Sequence, residues 1–120
     1  MSTPEIILPF PPSANTLYRT IIRGKRAIPI KSKEHRQFFQ AVVASTAGVQ
    51  QWAEEKALEV WLYLYRPRRV GDVDGPIKAC LDSLNGIAWA DDSQIVALHV
   101  IRGDDKYRPR VEVLVREVTP

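Results

Sequence analysis

Val111, Val113 and Val115 alternate with Arg110, Glu112 and Arg116 near the end of the chain. A period of two predicts a strand with one buried and one wet face. Leu58 to Tyr65 is dense in β-branched and aromatic side chains, which suit a pleated surface, and predicts another strand. Ile95 to Ile101 predicts a third. Glu5 to Leu8 is a short apolar run stopped by Pro9, Pro11 and Pro12, so a strand there leads into a rigid, extended loop. Leu17 to Ile22 and Ala27 to Ile30 flank Arg23-Gly24-Lys25-Arg26, the pattern of a hairpin with a basic turn.

Between these runs the period changes. Phe38, Phe39, Val42, Val43, Thr46 and Val49 recur at helical spacing behind Ser32, a suitable N-cap. The spacing predicts a helix from Ser32 to about Glu54. Pro76 suits the first turn of a second helix, with Asp74 or Gly75 capping it and Asn85-Gly86 ending it after Leu84. Hairpin, helix, strand, helix and two strands is an α+β pattern with a mixed sheet and two main helices. At 120 residues, residues 1–120 are expected to form one domain.

Composition narrows the class. The chain is 45% hydrophobic and 26% charged, too apolar for disorder. One cysteine, Cys80, excludes an internal disulfide or a cysteine zinc site and is expected in the core. The longest uncharged stretch, Gln37 to Ala53, contains glutamines, serine, threonine and glycine, so no membrane span is expected. The N-terminus lacks the pattern of a secretion signal, and a soluble intracellular protein is the expectation. The net charge of +3 is mild, but Arg66, Arg68 and Arg69 cluster beside Asp72 and Asp74.

The informative stretch is Arg66-Pro67-Arg68-Arg69-Val70-Gly71-Asp72-Val73-Asp74-Gly75-Pro76-Ile77-Lys78. In an extended chain, Asp72 and Asp74 leave the same face. Two close carboxylates repel and need a proton, a cation or a basic neighbour. Mg²⁺ takes hard oxygen ligands of this kind together with phosphate and water. Lys78 lies one helical turn beyond Asp74. Asp91 and Asp92, before the Ile95 strand, offer a third carboxylate. Three aspartates, a lysine and nearby arginines suit metal-assisted phosphodiester hydrolysis. The residues alone leave a plainer reading open, in which Asp74 caps a helix and Lys78 pairs with Asp82 on its surface.

The whole chain resembles the RusA family of Holliday junction resolvases. Leu8-Pro9-Phe10-Pro11-Pro12-Ser13-Ala14-Asn15 resembles the family's opening signature. Asp72-Val73-Asp74, Lys78 and Leu81-Asp82-Ser83-Leu84-Asn85 are similar to its central pattern, and Trp89-Ala90-Asp91-Asp92-Ser93-Gln94-Ile95 to its second acidic motif. The resemblance implies a homodimeric, Mg²⁺-dependent endonuclease that cuts four-way DNA junctions, with Mn²⁺ as a substitute metal. It implies Asp72, Asp74 and Asp92 as metal ligands and Lys78 as the fourth catalytic residue, with Asp91 the lesser candidate. It gives Arg66, Arg68, Arg69, Arg23, Lys25, Arg26 and Asn15 a role on DNA, where the basic side chains would contact phosphates. It also implies a cytoplasmic setting, bacterial or phage-encoded. One departure stands out: Gly75 follows the second aspartate where the family usually has Asn.

Two rival readings share parts of this pattern. Asp72-Val73-Asp74-Gly75 looks like the start of the haloacid dehalogenase phosphatase motif. Here, however, Pro76 replaces its Thr, and too little chain follows for a doubly wound sheet. A non-catalytic DNA-binding module would explain the basic loops but gains nothing from carboxylates beside phosphates.

Overall fold

The alternating valines build the centre of a sheet. In the computed structural model, which describes residues 6–12, 18–68 and 74–119 (the backbone alone at 18–20, 31 and 74), β6 (Arg110–Glu117) lies between β1 (Ile6–Pro9) and β4 (Leu58–Arg66). It pairs antiparallel with both. β5 (Ile95–Asp104) adds to the far side of β4 in parallel, so the order is β1-β6-β4-β5. One parallel pair among antiparallel ones makes the sheet mixed, as expected. It is not the doubly wound sheet of the phosphatase rival.

Parallel neighbours need a crossover. Here the chain leaves Arg66, passes through α2 (Asp74–Leu84) and a 3-10 turn (Asp92–Gln94), and re-enters at Ile95. One face of the sheet is sealed. Ile6 and Leu8 of β1, Leu58, Val60, Leu62 and Leu64 of β4, and Val111, Val113 and Val115 of β6 are all buried. Phe38 and Val42 of α1 (Lys33–Ser45) and Ala79, Cys80 and Leu84 of α2 belong to the same core.

The other face is a lattice of rings and charges. His99 stacks on Trp61 with centroids 4.9 Å apart. Arg116 lies over Trp61, and Arg110 lies 4.1 Å from the Tyr65 ring centroid. Glu59 bonds His99 and accepts from Arg116; these two contacts, His99 first, hold its carboxyl below the usual range.

α1 starts as expected. The His35 amide donates to Ser32 Oγ at 3.3 Å, and Arg36 N closes the first turn on Ser32 O. It ends nine residues early, at Ser45 and not Glu54. The Thr46 hydroxyl donates to the Val42 carbonyl at 2.7 Å, and Gly48 takes φ +85°. A β-branched residue that bonds its own turn, followed by a glycine in the left-handed region, stops the helix. Val49 and Trp52 still pack on the core, but from a loop. Val43, off the buried stripe, is 60% exposed. α2 begins two residues before Pro76, so Asp74 and Gly75 lie inside its first turn and do not precede it as caps. Gly86, at φ +84°, follows its end.

β2 (Tyr18–Arg23) and β3 (Arg26–Lys31) form a separate two-stranded sheet. Arg23 pairs with Arg26 across the two-residue loop Gly24-Lys25. Gly24 has φ +64° at the first central position, where a type II′ turn calls for glycine.

Cys80 gives a pH test of the core. Burial pushes its thiol up to about 12. A thiol that ionises more easily in the unfolded chain contributes stability in full below the unfolded pKa, roughly 8.5. That contribution is lost progressively as pH rises from there toward the folded value. Urea melts of wild type are expected to lose midpoint between pH 8 and 11, and Cys80→Ala to lose less over the same range. Equal losses would contradict the assignment.

Candidate active site

α2 starts where the sequence places the second carboxylate. Asp74 is its first residue, and Lys78 lies one turn further along the same side. A carboxylate in the first turn of a helix is favoured by the helix dipole, and the same end favours phosphate. The Lys78 side chain is 60% exposed, with Nζ 3.4 Å from Asp82 Oδ2 in the next turn. This is the surface pair of the plainer reading. Solvated pairs at this spacing are worth roughly 0.3–0.5 kcal/mol, so the ammonium can leave Asp82 for a phosphate at little cost.

The Asp91–Asp92 pair divides its work. Asp91 caps the 3-10 turn: it accepts from the Ser93 hydroxyl and from the Ser93 amide, and these bonds hold its carboxyl below the ordinary range. Gln94 completes a capping box, its Oε1 accepting from Ala90 N and Asp91 N at 2.8 and 3.0 Å. The amide end of Gln94 donates to the carbonyls of Ala53 and Lys56, pinning the turn to the segment before β4. Asp92 is partly buried, and its Oδ1 accepts from the indole Nε1 of Trp89 at 2.7 Å. Trp89 is fully buried, so it is an orienting group and not a stacking surface for a base. Asp91 is committed to local structure, whereas Asp92 is a carboxylate aimed by a rigid ring. That division separates the two candidates for a third metal ligand. Sequence reasoning did not find the Trp89 contact; Asp91-x-x-Gln94 did carry a capping-box signal.

The basic residues also separate. Arg23, Lys25 and Arg26 are exposed on the β2–β3 hairpin, and Arg68 is exposed after β4. Arg66 differs from the expectation for a DNA-contacting side chain. Its side chain is 6% exposed, and its guanidinium lies 3.2 Å from Asp104 Oδ1, because the even positions of β4 face the core. Asp72, Asn15 and Arg69 lie outside the described residues.

Among the described residues, no three acidic, histidine or cysteine side chains gather at metal-ligand distance. Ile95, three residues after Asp92, pairs with Leu58 at one end of β4, while the segment carrying Asp72 leaves from Arg66 at the other end. α2 lies on the return path between them. Nor is any described helix long and apolar enough to cross a membrane.

Comparison with known proteins bears on this arrangement. The family described as Endodeoxyribonuclease RusA matches residues 9–116. The chain is 28% identical over 120 residues to the Crossover junction endodeoxyribonuclease RusA of Shigella sonnei (strain Ss046), with 98% of each protein covered. It is likewise 28% identical to the protein of that name from Enterobacteria phage 82, again with 98% of each covered. A 56-residue stretch is 45% identical to the Uncharacterized protein YqaN of Bacillus subtilis (strain 168), covering 47% of this chain and 39% of that protein.

Proposed function

The chain belongs to the RusA family of endodeoxyribonucleases, and from that premise we propose that it resolves four-way DNA junctions by Mg²⁺-dependent, paired hydrolysis as a homodimer. The observation that carries the site is the Trp89–Asp92 contact. A buried indole holding one carboxylate oxygen is how a protein orients an acidic ligand, and a surface aspartate needs no such support.

Asp72, Asp74 and Asp92 suit Mg²⁺ by donor chemistry, since all three offer hard oxygens, and Mn²⁺ suits the same donors, although within one chain Asp92 and the segment carrying Asp72 adjoin opposite ends of β4. Mg²⁺ bound there supplies charge neutralisation at the scissile phosphate. Lys78, exposed and weakly paired, holds a phosphate oxygen. The attacking water gives up a proton as its oxygen bonds to phosphorus, and the 3′ oxygen takes up a proton as its bond to phosphorus breaks, leaving a 5′-phosphate and a 3′-hydroxyl. Gly75 leaves the carboxylates and the lysine in place. The names of the full-length relatives supply the substrate, a crossover junction, and one comes from a phage, which suits a bacterial or phage-encoded cytoplasmic enzyme.

Arg23, Lys25, Arg26 and Arg68 contact phosphates. Replacing the three hairpin residues with alanine is expected to lower the slope of log binding constant against log salt by about 0.9 for each phosphate no longer neutralised. Junction binding measured from 50 to 200 mM salt checks this, and an unchanged slope would remove the hairpin from the interface. The metal requirement is tested on wild type with Mg²⁺, with Mn²⁺ and with chelator. Cleavage that survives chelation would end the metal reading.

A further inference from the structure

The turn between β5 and β6 carries an aromatic ring and a group of cations that the site described above does not use. Tyr107 is 84% exposed, more than any other large apolar side chain among the described residues. It does not sit on a slack loop. Asp105 Oδ1 accepts from the amides of Tyr107 and Arg108 at 3.1 and 3.0 Å, and Asp105 Oδ2 accepts from Arg110 Nη1 at 2.9 Å. Arg110 Nη1 also donates to the Arg108 carbonyl at 2.9 Å, and its guanidinium lies over the Tyr65 ring of β4. The turn is therefore braced on the sheet. Both of its carboxylates are occupied, Asp104 by Arg66 and Asp105 by Arg110. Its outer cations are not. Arg102, Lys106 and Arg108 are exposed, and none forms an ion pair with a described residue. Lys106 Nζ lies 5.4 Å from the Tyr107 ring centroid. The position of the turn also matters. The Asp105 amide donates to the Arg66 carbonyl at 2.8 Å, which fastens the turn to the last residue of β4. The segment carrying Asp72 leaves from that same residue.

We propose that Tyr107 stacks on a base exposed at the branch point of the DNA, with Lys106 and Arg108 on the flanking phosphates, and that this stack sets a preference for a junction over plain duplex. The proposal rests on the junction reading and names a residue that carries its selectivity. Stacking on an aromatic side chain needs an open base face. Within a duplex every base is covered above and below by its neighbours. Where four arms meet, the last pair of an arm parts from one of those neighbours and a face opens. Phosphate contacts alone do not make this distinction, because they attract any DNA. A ring set among cations therefore does two things: the cations hold the backbone, and the ring reads whether a base is uncovered. The same pairing selects nucleic acid over a protein partner, since the turn adjoins the segment already assigned to phosphodiester chemistry.

The test is equilibrium binding of the full-length chain, in chelator, to a labelled four-way junction and to a linear duplex of one arm's sequence, followed by fluorescence anisotropy. Wild type is expected to prefer the junction. Tyr107→Ala is expected to lose about tenfold or more in junction affinity, the size of one base–aromatic stack, and to stay within about twofold of wild type on duplex. Tyr107→Phe keeps the ring and is expected to keep the preference. Lys106→Ala combined with Arg108→Ala is expected to weaken both DNAs alike and to lower the salt dependence of each. All these side chains are exposed, so unchanged urea melts are expected. A Tyr107→Ala protein that prefers the junction as wild type does would overturn the proposal. So would equal losses on junction and duplex, or a Tyr107→Phe protein that behaves like the alanine variant. Failure of the junction reading shows separately, in wild type. Equal binding of both DNAs by wild type would remove that reading and this proposal with it, whereas a preference shared by wild type and Tyr107→Ala would remove the proposal alone.

Discussion

Asp74→Asn is expected to abolish junction cleavage while leaving junction binding intact. The substitution keeps the shape of the side chain at the start of α2 and removes one anionic oxygen donor. Charge stabilisation by a bound metal is worth several kcal/mol in phosphoryl chemistry, so the loss in rate is about a hundredfold or more. Binding is expected to hold or tighten slightly, because a negative charge leaves a surface that faces phosphates. Single-turnover cleavage and gel-shift assays on the same junction separate the two effects. A variant that still cuts within about threefold of wild type would make Asp74 a helix-turn residue and nothing more. A variant that neither cuts nor binds, with an unchanged melt, would place Asp74 in substrate binding instead.

Trp89→Ala is expected to be the most damaging single change to the fold. The side chain is fully buried, and truncating a tryptophan in a packed core costs about 3–5 kcal/mol. For a domain of this size that is a large part of the total. The milder Trp89→Phe separates packing from chemistry. It keeps an aromatic ring in the site and removes the donor to Asp92. Loss of that one hydrogen bond costs about 1 kcal/mol in stability. Its effect on activity is expected to be larger, about ten- to a hundredfold, as for a group that orients a metal ligand. Urea melts and cleavage rates on both variants check this. A Trp89→Phe enzyme with wild-type activity would mean that Asp92 needs no orientation or plays no part.

The β6 strand and the α2 helix are legible in the sequence because local pattern and tertiary role agree there. Val111, Val113 and Val115 alternate and are buried. Pro76 marks a helix start, and Gly86 a helix end. α1 is only half legible. Val49 keeps the helical period past Ser45 and reaches the core, but it does so from a loop, and periodicity does not distinguish the two routes to burial. Arg66 departs from its expected place for a related reason. Three arginines in four residues look alike in sequence, yet β4 alternation turns the first inward to Asp104. The split between Asp91 and Asp92 depends on a buried indole three residues away, a contact that no spacing rule anticipates.

The most direct test of paired junction resolution uses a supercoiled plasmid that extrudes a cruciform, incubated with wild-type protein and Mg²⁺. Paired incision within one binding event yields linear plasmid, whereas independent incisions yield nicked circles first. Linear product is expected from the earliest times, with none in chelator and no cutting of the same plasmid relaxed so that the cruciform is absent. Nicked circles that accumulate before linear product would contradict paired resolution, and equal cutting of the relaxed plasmid would contradict junction selectivity.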